Sequence, residues 1–428
     1  MNVDPSAAFD ATLLPPGLAG ADLVAIAAEY GTPVFVYDED HIRQRCRTFA
    51  EHFGRDGVAY AGKAFLCRAM ATLVREEGLH LDVATEGELH VALHAGFPPE
   101  RIVFHGNNKS EGELRGAGDA GVGRVVADSF QELDRLERLG YPGDVLVRIT
   151  PGVEAHTHEY IETGTERSKF GLSVATGAAM VALRRVVESP VLTFGGIHCH
   201  IGSQVYRLDS YARAAAVVMG FVDELEVVTG ARVPLINLGG GLGARYLASD
   251  PDLDVGEYAA ALRGAVGDRP LMVEPGRAIV ARAGVTVYRV GTVKEIPGVT
   301  TYVAVDGGMS DNPRPVLYGA GYEAFLPDRI EAARPLVATV AGKHCEQGDL
   351  VVTDAHLPAD VAPGDLLATP VTGAYGYSMA SNYNRVPRPA VVFVRHGKVR
   401  PVVRRETLED LERLDVDDRT AAIRETGA

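Results

Sequence analysis

The sequence has 428 residues, 46% apolar and 23% charged, an ordinary globular profile with length for two or three domains. Its formal net charge of −15 excludes broad affinity for nucleic acid or anionic membrane, which both require clustered positive charge. Cys46, Cys67, Cys199 and Cys345 form no CxxC pair, so the sequence predicts neither a disulfide framework nor a zinc site, and favours a reducing cytoplasm.

Arg43 is the first Lys or Arg, which predicts no secretory or transit leader. The longest apolar run, Ala214 to Val222, is too short to span a bilayer. Pro33 to Tyr37 reads as a lone strand, followed by a helix from Glu39 to Phe49. From Val58 to about Arg282, short apolar strands alternate with amphipathic stretches. The strands fall near 58–62, 79–83, 102–104, 124–127, 145–149, 194–199, 235–238 and 271–273. Helical spacing marks Glu86 to Ala95, Gln131 to Leu139 and Tyr211 to Val228. Strands joined by helical crossovers pair in parallel, and eight of them predict a (β/α)8 TIM barrel, with a doubly wound open sheet as the alternative.

Beyond residue 285 the texture changes to Val- and Thr-rich runs separated by Gly, Pro and Asp turns, the pattern of an all-β domain. These runs are Val285–Ile296, Thr301–Val305, Leu336–Val340, Leu350–Thr353, Asp365–Thr369, Ala390–Val394 and Val399–Val403. From Glu406 the tail is acidic and helix-prone. The expected fold class is therefore α/β plus all-β. Residues 1–38 would join the β domain, 39–282 would form the barrel, and 283–428 would form a C-terminal β-sandwich or β-barrel.

Barrel enzymes place their chemistry at the C-terminal ends of the strands. There the sequence has Lys63, Asp82, His105, Asp128, Arg148, His200, Gly239 and Glu274. A lysine leaving a buried strand at this rim is either a solvated loop residue or a desolvated amine able to lose its proton and condense with a carbonyl. Gly239, Gly240 and Gly241 leave backbone amides free to close on an anion, and a single phosphate suits them better than a dinucleotide. Pro275 and Gly276 make a sharp corner between Glu274 and Arg277, which could hold the carboxylate inward or merely form a salt bridge. His198 and His200 share one side of a strand, but His-x-His alone does not make a metal site, and none is expected.

The motifs Tyr60-Ala61-Gly62-Lys63, His200-Ile201-Gly202-Ser203, Gly239 to Gly241 and Glu274-Pro275-Gly276-Arg277 are followed by a second set. This comprises Asp311-Asn312-Pro313-Arg314, Tyr318, Gly342-Lys343-His344-Cys345-Glu346 and Gly373-Ala374-Tyr375. In this order, across residues 25 to 400, they resemble the pyridoxal-phosphate decarboxylases of the alanine-racemase fold type, and most closely its diaminopimelate decarboxylases. The resemblance implies pyridoxal 5'-phosphate as cofactor, Lys63 as the lysine that binds it covalently, and His200 stacked on its ring. Asp82 would support the cofactor, and Glu274 would face its pyridine nitrogen. Ser203, Gly239, Gly240, Gly241 and the corner Glu274, Pro275, Gly276 and Arg277 would surround the phosphate, with Tyr375 closing over it. Arg277, Arg314, Tyr318, Glu346 and Tyr375 would contact the substrate.

The resemblance further implies that Cys345 and Glu346 enter the site from a second subunit of a homodimer, and Cys345 is the expected acid for carbanion protonation, with Lys63 as the alternative. The reaction it implies is decarboxylation of meso-2,6-diaminopimelate at its D centre, giving L-lysine. Gln347 departs from the family, where Ser or Pro is common. It keeps open a sister decarboxylase acting on ornithine, arginine or a carrier-bound amino acid. A racemase would require a weakly basic partner in place of Glu274, and a non-catalytic cofactor-binding protein would lack the second β domain.

Overall fold

The computed structural model describes residues 8–19, 21–152 and 168–416. Strand β1 (Val34–Asp38) is buried throughout and leads directly into the helix Glu39–Phe53, whose N-cap is Asp38. Then come β2 (Ala59–Ala61), β3 (His80–Val83), β4 (Ile102–Phe104), β5 (Arg124–Ala127), β6 (Asp144–Thr150), the short β7 (Leu172–Ser173), β8 (Thr193–Cys199), β9 (Ile236–Asn237) and β10 (Leu271–Met272).

Strands β2 to β6 and β8 to β10 pair in parallel in one sheet, with β7 attached beside β6. The two ends of this sheet meet. Val58 bridges Val273 in parallel, Ala59 N–H donates to Val273 O at 2.9 Å, and Ala61 N–H to Pro275 O at 3.2 Å. This closure makes the expected barrel and rules out the open doubly wound sheet. Period-2 alternation sorts the strand residues. Ala59, Val103, Val126, Leu146 and Met272 pack as a separate cluster, while neighbours such as Tyr60, Phe104 and Val125 join the large core formed with the helices.

The second sheet is built from β11 (Gly284–Ile296), β12 (Thr300–Val305), β13 (Leu336–Ala341), β14 (Leu350–Leu357), β15 (Leu366–Pro370), β16 (Ala390–Arg395) and β17 (Lys398–Val403). Its order is β14-β13-β12-β11-β1-β16-β17, with β15 also on β11. The N-terminal strand thus sits inside the C-terminal sheet, antiparallel to β11 and parallel to β16. One long strand serves two neighbourhoods: the first half of β11 pairs with β1 and β15, and past the irregularity at Val290/Thr292 its second half pairs with β12. A bulge of this kind bends a strand and lets the sheet curl. The tail carries a helix at Leu408–Glu412, and from residue 417 it lies outside the described residues. No helix among the described residues is long and apolar enough to cross a membrane.

Candidate active site

A cavity of about 720 Å³ opens at the C-terminal ends of the barrel strands, and a slot of about 60 Å³ adjoins it. Both are lined by Lys63, Asp82, His200, Ser203, Glu274, Arg277 and Tyr375. The sequence-predicted residues thus converge from elements far apart in the chain.

Lys63 lies in the 3-10 turn Gly62–Ala64 directly after β2, and its exposed surface faces these cavities. Burial pushes its ammonium towards losing the proton, but Tyr375, Asp82 and Glu274 outweigh that, and its pKa is raised. Of the two expected alternatives, a solvated lysine and a desolvated one that loses its proton, these surroundings favour the charged amine. Nearby acidic groups hold the proton on.

Glu274 is the most constrained group in the site. Its Oε1 accepts from Asn237 Nδ2 at 2.7 Å and pairs with His105 Nε2 at 2.8 Å, while Oε2 lies 3.1 Å from His198 Nε2. Burial opposes its charge, yet His105 and His198 more than compensate, so the carboxyl is held well below its usual range. His105 loses by burial but gains more from Asp82 and Glu274, and its pKa rises. Burial drives His198 down to about 4, leaving a neutral ring whose Nε2–H donates to the carboxylate. His105, His198 and Glu274 lie within 4.8 Å of one another and spend these atoms on each other. His200 is likewise neutral, pushed well down by burial and then by Lys63 and Arg148, and its Nδ1 accepts from Gly240 N–H at 3.2 Å.

The slot owes its shape to missing side chains. A Cβ on Gly240 would stand 2.3 Å from Glu274 O, and one on Gly241, where φ is +110°, 2.3 Å from Gly202 O. Ser203, Pro275 and Gly276 complete the wall with Arg277. Arg277 is buried, donates to Ser203 Oγ at 3.0 Å and to Tyr246 Oη at 2.7 Å, and its Nε has no protein acceptor. The alternative salt bridge to Glu274 does not form. Arg314 and Tyr318, at the two ends of the short helix Arg314–Tyr318, line the outer cavity.

Not every expected residue reaches the cavity wall. Gly239 acts one step back: its N–H donates to Asn237 Oδ1 at 3.0 Å and its carbonyl accepts from Glu274 N–H at 2.8 Å. Asp128 pairs with Arg148 at 3.9 Å and accepts from Gly171 N–H at 3.1 Å. Cys345 and Glu346 are exposed and line neither cavity. Asn237, Tyr246 and Tyr322 were missed by sequence reasoning. Only Asn237 had a readable signal, an amide in the otherwise apolar strand Leu235 to Leu238.

The family model described as "Pyridoxal-dependent decarboxylase, pyridoxal binding domain" matches residues 39–281. Diaminopimelate decarboxylase from Mycobacterium tuberculosis is 51% identical over 421 residues, covering 93% of this chain and 94% of that protein. The Bacillus subtilis enzyme of the same name is 48% identical over 420 residues, covering 94% and 95%. Among solved structures, diaminopimelate decarboxylase from M. jannaschii superposes with a TM-score of 0.86 at 34% identity, covering 94% of this chain and 97% of its own. The Helicobacter pylori enzyme, solved with L-lysine, gives 0.85 at 32% identity, covering 92% and 99%. A lysine at the barrel mouth, a glycine-walled slot with an arginine, and a buried anionic glutamate fit what pyridoxal phosphate requires of a protein. The chain belongs to the pyridoxal-dependent decarboxylases, and among them to the diaminopimelate decarboxylases, with pyridoxal 5'-phosphate as its cofactor.

Proposed function

We propose that the cavity at the barrel mouth is where this chain decarboxylates meso-2,6-diaminopimelate to L-lysine and CO2. The observation that carries the assignment is one mouth holding Lys63, anionic Glu274, a glycine-walled slot, and the buried arginines Arg277 and Arg314. Bound pyridoxal phosphate supplies the electron sink for the pair left on the α-carbon when CO2 departs.

The chain's residues divide the remaining work. Lys63 would hold the cofactor covalently, at the mouth of the cavity that the substrate enters. Ser203, Gly240, Gly241, Gly276 and Arg277 hold the phosphate, with Gly239 and Pro275 shaping their loops and Tyr375 closing over it. Glu274 keeps the pyridine nitrogen protonated, His200 presents a neutral ring face, and Asp82 supports the arrangement through its proximity to His105 at 3.9 Å. Arg277, Arg314, Tyr318 and Tyr375 face the substrate. Arg314 takes the distal carboxylate, which ornithine and lysine lack in that position.

Cys345 donates the proton that replaces CO2, and Glu346 takes the distal ammonium, both from the partner of a homodimer. Their exposure outside their own chain's cavity supports this arrangement. So do Val316, Leu317 and Tyr383, exposed apolar side chains close in sequence to Arg314 and Asn384, since Asn384 Oδ1 accepts from Cys345 N–H at 3.2 Å. A cytoplasmic location accords with four free cysteines. Assay of CO2 release from the purified holoenzyme tests the reading. Meso-diaminopimelate should turn over at least ~100-fold faster than ornithine or lysine, by the penalty for leaving buried polar groups unpaired. Preference for either monocarboxylate would overturn the substrate assignment.

A further inference from the structure

Burying a guanidinium is costly unless it is paired, and its usual buried partner is a carboxylate. Arg314 and Arg277 are both buried in the cavity wall, yet no described carboxylate pairs with either. Their partners are phenols, with the Ser203 hydroxyl also accepting from Arg277. Arg314 donates to Tyr322 Oη, and its guanidinium lies 4.2 Å from the centroid of the Tyr246 ring. Arg277 donates to Tyr246 Oη at 2.7 Å and lies over the Tyr375 ring at 4.7 Å. The Tyr246 and Tyr322 rings meet edge to face at 5.4 Å and 88°. Tyr246 is itself anchored, because Asp250 Oδ2 accepts the N–H groups of Tyr246 and Leu247, each at 3.0 Å.

We propose that Tyr322 and Tyr246 form a phenolic brace that orients Arg314 and Arg277 without neutralising them, making Tyr322 a positioning residue for recognition of the substrate carboxylate. The inference rests on the assignment of Arg314 to that carboxylate. Carboxylate side chains would hold the guanidiniums equally well, but would cancel their charge and compete with an incoming carboxylate. A phenol accepts a hydrogen bond, and its ring face attracts a cation, while the positive charge stays available. Burial raises Tyr322 to about 12 even beside Arg314, so it remains neutral at working pH. The unpartnered Nε atoms of both arginines fit the same picture, donors in a site short of acceptors. Tyr322 does not line the cavity, so it acts through Arg314.

Tyr322→Phe removes one oxygen and keeps the ring against Tyr246. In the holoenzyme, KM for meso-diaminopimelate should rise roughly 10- to 100-fold, the loss of one hydrogen bond to a charged donor, while kcat stays within about threefold. Inhibition separates a carboxylate effect from general damage. L-Lysine bound as product, with its ε-amino group at the reacting centre, keeps the distal carboxylate and should weaken by the same factor as the KM change, whereas cadaverine, which has none, should bind as to the wild type. Equal weakening of both inhibitors, or no change for lysine, overturns the brace. Arg314→Lys is the control for the underlying assignment. If it too leaves lysine affinity unchanged, the error lies in placing a carboxylate on Arg314. If it weakens lysine while Tyr322→Phe does not, the brace alone fails.

Discussion

Glu274 carries the heaviest demand of any single residue, because a buried carboxylate must stay charged. Two histidines and an asparagine aim donors at its two oxygens, and they come from three different strand ends. Glutamine could accept only through one oxygen, and its NH2 group would oppose donors already in place. Glu274→Gln should therefore lower kcat by about 100-fold or more, the scale of losing a preorganised electrostatic contact, with cofactor affinity changing far less. Turnover within a few-fold of wild type, measured on cofactor-saturated enzyme, would remove Glu274 from the pyridine nitrogen. Lys63 shows the same balance with the opposite charge. Burial disfavours its ammonium, but Tyr375, Asp82 and Glu274 outweigh that and raise its pKa.

Among the elements, the loop after β9 shows how little room the design leaves. At Gly240 a methyl group would collide with Glu274 O at 2.3 Å, backbone that cannot swing aside. Gly240→Ala should raise the dissociation constant for pyridoxal phosphate at least ~10-fold in titration of apoenzyme, by displacing either the slot or the segment after β10 that carries Glu274. Unchanged cofactor affinity would mean that the loop tolerates the shift and is not the phosphate wall. This loop was legible in the sequence, as were the barrel strands, because both depend on local signals: glycine runs, apolar pentads and polar strand ends. The placement of Pro33 to Tyr37 in the C-terminal sheet was also legible, since a strand without a local partner must find one elsewhere. Tyr246 and Tyr322 were not legible. A tyrosine in a polar loop has no periodicity, and only the folded chain shows that two of them meet around two arginines. The protonation of Lys63 was left open for a similar reason, since burial is foreseeable from position but neighbouring charge requires geometry.

On the scale of the whole molecule, the question is where Cys345 acts. Lys63, His200 and Glu274 belong to the barrel, whereas Cys345 and Glu346 follow β13 in the second sheet and are exposed. The loop that carries them is nevertheless tightly built. Asp349 Oδ2 accepts from His344 N–H at 2.8 Å, Asp349 Oδ1 accepts from Met309 N–H at 2.6 Å, and His344 Nε2 lies 2.8 Å from Ser310 Oγ. A rigid, exposed loop outside its own cavity is suited to docking on another copy, and two-fold dimers make such contacts reciprocal. Lys63→Ala and Cys345→Ala proteins should each be nearly inactive for different reasons. After demonstrated subunit exchange, half of an equal mixture is heterodimer, and one of its two sites holds both native residues. Activity should then return to roughly a quarter of wild type by that symmetry. If Cys345 served its own chain, every site in the mixture would lack one of the two residues, and the mixture would stay inactive.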